Sequence, residues 1–252
     1  MAPYSHIYIA TQVLDSTSWQ VVLGAVTPDI GIVLAGTPGF EWKIGDGIDT
    51  ARKILSTTRK SYPELEPFSL SYALHCAGFH GSDYYSDGLQ QDGYAYVLGE
   101  PLIPKIANLL GIDEEQATIF SHNFIELAHD YLICKEYPQL DKLLTESSNR
   151  KNVEQINRVL HQVTGYNETF YLNALFSLLS SDQKICSEDA EIRLSYVNDA
   201  LEKFIGKAVN GKQTLRIINE AEEIVTATGL KNIYEARDDL KRNFYKYIKE
   251  YE

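Results

Sequence analysis

All eight prolines of this 252-residue chain lie at or before Pro138. Proline removes a backbone donor and breaks helix interiors, so everything after that point is free of the strongest helix breaker. From Asn152 onward apolar residues recur at helical spacing. The pattern predicts helices over 152–163, 168–180, 188–206, 213–228 and 231–251, with Gly206, Gly211 and Gly229 as punctuation. No segment alternates apolar and polar residues long enough to predict a strand. The expected fold class is therefore all-α, a multi-helix bundle.

The first half reads as helices with more interruptions. Ser5 is an expected N-cap, followed by His6, Ile7, Ile9, Ala10, Val13 and Leu14 at helical spacing. Pro28 interrupts the next apolar run and leaves Asp29 on a turn. Residues 31–47, rich in Gly and Pro, read as a loop that shapes a pocket mouth. Helices are predicted over 48–60, 69–82, 102–110, 114–134 and 138–146, the one at 114 capped by Asp113. The stretch 84–99 carries Tyr84, Tyr85, Tyr94 and Tyr96 between turn residues. It is expected to be an ordered loop whose aromatics join the core. Residues 1–150 would form a metal-site core and 151–252 a helical extension packed on it.

Composition excludes several classes. No run of 18 apolar residues occurs, so no transmembrane helix is expected. The N-terminus lacks a basic segment followed by an apolar one, which predicts no secretory signal. Cys76, Cys134 and Cys186 are odd in number and widely spaced, which argues against a disulfide framework and for a reducing cytoplasm. A formal charge of −12 repels phosphate backbones at long range and argues against nucleic acid as a partner.

Five of the six histidines fall before residue 130. In the segment SHNFIELAHDYL, Glu126 lies at about +40° and His129 at about −20° from His122 on a helix, so the three share one stripe. Imidazole and carboxylate on one stripe suit a zinc ion, although an amphipathic helix with polar histidines would look the same. His75, His80 and Asp83 form a second group in LHCAGFHGSD and would spread over one broad helix face. Packed against the first group, they supply N and O ligands for more than one ion. Asp130, beside His129, is expected to be exposed. His161 stands alone, and Cys76 points about 100° away from His75. No nucleophile elbow, P-loop or dinucleotide fingerprint is present.

SHIYIA at 5–10, LGAVTPDI at 23–30 and YALHCAGFHGSD at 72–83 resemble the zinc-dependent phospholipase C family, itself related to fungal single-strand zinc nucleases. The resemblance covers about residues 1–135. It implies an all-helical fold in which His6, Asp29, His75, His122 and Glu126 bind zinc. The family places an aspartate four residues after the middle histidine; here that position is Phe79, with His80 and Asp83 as substitutes. A further family histidine is missing between His6 and His75, where Glu41 or Asp46 would stand in. The resemblance therefore implies one or two ions rather than three.

The expected activity is hydrolysis of a small-molecule or lipid phosphodiester by metal-activated water, whose pKa falls to about 7 on the ion. Asp29 or Asp83 would take the proton. The alternatives are a helical binding or scaffold protein with a structural metal, and a hydrolase of a non-phosphate substrate.

Overall fold

A computed structural model describes residues 3–31, 47–165, 168–182, 184–206 and 208–251. The described residues are helical throughout, without strands, as the proline distribution and the spacing predict. The loop read at 31–47, with Glu41 and Asp46, falls almost wholly outside them.

The helices run α1 (Pro3–Val13), α2 (Trp19–Val26), α3 (Ile48–Ser61), α4 (Glu66–His75), α5 (Ser82–Ser86), α6 (Tyr94–Gly99) and α7 (Ile103–Leu110). They continue with α8 (Glu114–Glu136), α9 (Gln139–Ser147), α10 (Arg150–Thr164), α11 (Glu168–Asp182), α12 (Ala190–Ile205), α13 (Gly211–Thr228) and α14 (Lys231–Tyr251). Among the described residues, no helix is long and apolar enough to cross a membrane.

Two helices organise the rest. α1 is buried from Pro3 to Thr11 and packs against α2, α4, α8, α9 and α14. α8 packs against α1, α6, α7 and α13. The two are registered by one buried carboxylate. Asp130 of α8 accepts from Tyr4 N at 3.0 Å, Ser5 N at 2.8 Å and Ser5 Oγ at 2.6 Å. These are free donors of the first turn of α1, which no intrahelical carbonyl can reach. The cap of α1 is thus supplied by another helix. Ser5 sits inside the first turn instead of at the N-cap, and Asp130 is buried, not exposed as its polarity suggested.

α2 and α4 lie unusually close, because a Cβ on Gly24 would collide with Phe68 O and Ser71 Cβ. The approach lets side chains one turn apart on α4 reach carbonyls one turn apart on α2. Ser71 Oγ donates to Val21 O at 2.7 Å, and the His75 ring meets Ala25 O at 2.6 Å. α6 approaches α8 in the same way, with Gly99 packed on Ser121.

The predicted helix over 69–82 is broken. It ends at His75, Cys76 is extended, and His80 adopts the left-handed region at φ 51°. Gly78 and Gly81 pack against Ile48 and the Leu74 carbonyl, where a Cβ would clash. The chain therefore turns back and restarts as α5. The stretch 84–99 likewise contains helix, the end of α5 and all of α6, and its four tyrosines are half-buried.

The expectation of unpaired cysteines is corrected. Cys134 near the end of α8 and Cys186 after α11 are disulfide-bonded, with Cα atoms 5.5 Å apart, and Cys76 is the buried free thiol. Sequence separation hid this pair: the two cysteines are 52 positions apart, and α9 to α11 lie between them.

Candidate metal centre

The first centre is built from α1, the turn after α2, α4 and α5. Thr27–Asp29 forms one turn of tight helix, steadied by Thr27 Oγ1 donating to Leu23 O at 2.6 Å. It ends on Asp29 beside His75. The rings of His6 and His75 stack with centroids 3.9 Å apart. His75 Nε2 lies 3.0 Å from Asp83 Oδ2 and 3.8 Å from Asp29 Oδ1, and His6 Nε2 lies 3.3 Å from Asp83 Oδ1. Asp83 thus spans the two imidazoles, one oxygen to each.

The second centre joins α8 to the residue after α5. His122 Nε2 lies 3.7 Å from Asp87 Oδ1 and 3.8 Å from Glu126 Oε2. Tyr96 of α6 stacks on the His122 ring at 4.4 Å, nearly parallel. His6, Asp29 and His75 in one group, and Asp87, His122 and Glu126 in the other, each bring one donor atom within 4.8 Å of the rest.

The tautomers agree across both centres. His75 Nδ1–H donates to Ala25 O at 2.6 Å and His122 Nδ1–H to Ile119 O at 2.6 Å. His6 Nδ1–H donates to Ser82 Oγ at 2.6 Å, and that hydroxyl faces the carbonyls of Leu74 and His75. Each ring is therefore held from behind, and its Nε2 is turned toward carboxylates. Metal-binding histidines are oriented in this manner. Donors about 2.1 Å from a tetrahedral ion lie about 3.4 Å apart, and the separations here run from 3.0 to 3.8 Å.

The electrostatics point the same way. Burial, with Glu126 and Asp83 nearby, pushes Asp87 up to about 9. Burial likewise raises Asp83, against the opposing pull of His75. Burial alone would lower His75, but the Asp83 contact and Asp29 outweigh it and hold the ring above its usual range. Burial dominates at His6 and His122 and lowers both. Asp83 and Asp87 are thus biased toward holding a proton, or a cation in its place.

Of the residues singled out in the sequence, His6, Asp29, His75, Asp83, His122 and Glu126 come together. His80 does not: its ring packs on Tyr84 and Tyr247, and it joins neither donor group. His129 is fully buried, with Nδ1–H donating to Ile125 O at 3.0 Å and its ring edge-on to Tyr94, and it joins neither group. The left-handed turn at His80 and the packing of α6 on α8 are tertiary features that ideal helix angles do not contain. Asp87 is the candidate donor that sequence reasoning missed. The signal was its spacing, four residues after Asp83, which one helical turn brings to the same side.

Neither a family model, nor a curated protein, nor a solved structure matches the chain.

Proposed function

We propose that the chain is a metal-dependent hydrolase with two adjacent divalent-cation sites, zinc being the ion that its N and O donors suit, and that phosphodiesters are its substrate class. The observation that carries this reading is the contrast between the centres. The first brings together His6, Asp29 and His75, with Asp83 reaching both imidazoles, and is buried. The second offers three, and the Asp87 side chain is 35% exposed. Three protein donors leave a position for water or substrate, and the second group is the one that solvent reaches. Charge supports two ions: Asp29, Asp83, Asp87 and Glu126 balance two divalent cations when ionised.

Bound there, such ions would activate water near neutral pH and neutralise charge growing on phosphoryl oxygens. The protein's own part is orientation and proton handling. Ala25 O, Ile119 O and Ser82 Oγ fix the imidazoles. Asp29 and Asp83, the bases expected from the sequence, both face imidazoles in the buried set. Asp87, with Oδ1 toward His122 and the side chain reaching solvent, is better placed to take a proton from water on its second oxygen. Tyr96 walls the open side of His122.

The resemblance to zinc-dependent phospholipase C supports the same chemistry through His6, Asp29, His75, His122 and Glu126. Phe79 leaves that family's aspartate unmatched, and Asp83 takes up the place between His6 and His75. The buried first centre alone would also suit a scaffold protein with a structural metal. Disulfide-bonded Cys134 and Cys186 weigh against the reducing compartment expected from the cysteine count.

Hydrolysis of model phosphodiesters and phosphomonoesters, with and without chelator, tests the proposal. Chelator-sensitive cleavage of a diester is expected. Chelator-induced loss of thermal stability with no hydrolysis of either class would favour the scaffold.

A further inference from the structure

We propose that Asp239, on the C-terminal helix, is a positioning residue that fixes the spacing of the two centres by holding α5 from behind. The inference rests on the reading that both donor groups bind metal.

α5 is five residues long, far below the length at which a helix holds itself together in water. Yet it carries Asp83 to the first centre and, one residue past its end, Asp87 to the second. Asp87 N donates to Asp83 O at 2.9 Å, so the two aspartates are locked one helical turn apart, a rise of about 6 Å. That turn is the shortest covalent path between the centres. Anything that unwinds it separates them.

On a helix Asp87 lies about 40° from Asp83, and Tyr85 about 200°, which points Tyr85 directly away from both. Its hydroxyl donates to Asp239 Oδ2 at 2.5 Å. Asp239 is itself fixed on α14, accepting from Asn243 Nδ2 at 2.9 Å and from Tyr247 OH at 3.3 Å. Beside it, the His80 ring sits against Tyr84 and Tyr247. The same helix reaches α1, where Arg237 Nη1 donates to Tyr8 OH at 2.5 Å. α14 therefore braces the helix that carries His6 and the turn that carries both aspartates. His80, unused as a ligand, belongs to this brace.

The two aspartates do not depend on it equally. Asp83 is also held by its two imidazoles and by the Ser82 hydroxyl contacts at the start of α5. Asp87 lies beyond Tyr85, with Ser86 Oγ donating to its Oδ1 at 3.1 Å. Releasing Tyr85 should free Asp87 more than Asp83.

The test is a metal titration of the full chain by calorimetry, with zinc as probe and His122→Ala marking which ion occupies the second centre. Asp239→Ala should weaken that ion about 10- to 100-fold, the cost typical of losing an outer-shell partner, and leave the first nearly unchanged. Asp239→Asn keeps an acceptor for the Tyr85 hydroxyl and should restore near-wild-type affinity. A general loss of stability would weaken both ions alike and would not be rescued. Should Asp239→Ala fold poorly, Tyr85→Phe removes only the hydroxyl and should reproduce the selective loss. Unchanged affinity for both ions, or equal weakening of both, overturns the inference while leaving the metal reading in place. A wild-type chain that binds no zinc overturns both.

Discussion

At the residue scale, the chemistry lies in how each imidazole is aimed. His122 is held by Ile119 O behind and Tyr96 above, with Asp87 and Glu126 in front. His122→Ala should remove one ion per chain, measured by elemental analysis after titration and gel filtration. His129→Gln should leave the metal content unchanged, since His129 stands outside both donor groups. Loss of an ion on the second substitution, or none on the first, would reassign the centre. Asp130 has a different role, as the cap of α1. Asp130→Ala leaves Tyr4 N and Ser5 N buried without an acceptor and should cost about 2–4 kcal/mol in denaturant unfolding. A change under about 0.5 kcal/mol, the level of an ordinary surface substitution, would mean that α1 is held without it.

At the scale of elements, the centres exist because short pieces of chain are braced by long ones. α2 and α4 approach over Gly24 and bring Asp29 to His75. α8 presents its stripe across the core, and α5 bridges the two groups. The disulfide adds a covalent tie between the end of α8 and the segment after α11. Closing a loop of 52 residues stabilises by up to about 4 kcal/mol on loop-entropy grounds. Peptide mapping without reductant should recover Cys134 joined to Cys186, and Cys186→Ser should lower the melting temperature. Free thiols at both positions in unreduced protein would contradict the pairing.

What the sequence made legible divides along the same lines. Helix periodicity is local, so the all-α class and most long helices could be read directly. His122 and Glu126 were visible because they share a stripe on one uninterrupted helix. His80 and His129 were over-read for the same reason: ideal angles say which side chains share a face, not which neighbour covers it. The break after His75 depends on glycines packed against Ile48 and Leu74, so it could not be seen from periodicity through 69–82. Asp87 was missed because α5 is too short to leave a periodic signature. Asp130 and the cysteine pair became interpretable only when distant segments met.

At the scale of the whole molecule, net charge and site charge tell one story. A chain of charge −12 gathers Asp29, Asp83 and Glu126 in its interior with Asp87 at the rim, and burial raises Asp83 and Asp87. That concentration is costly without cations and natural with them. Metal should therefore stabilise the fold as well as supply chemistry, by binding the native state alone. The most direct test is the metal content of protein purified without added metal and then titrated with zinc, manganese or iron while the melting temperature is followed. About two equivalents per chain, with a melting temperature that rises on loading and falls with chelator, is the result expected from two three- or four-donor sites. Less than about a tenth of an equivalent of every metal, with no uptake on titration and no shift in melting temperature, would contradict it.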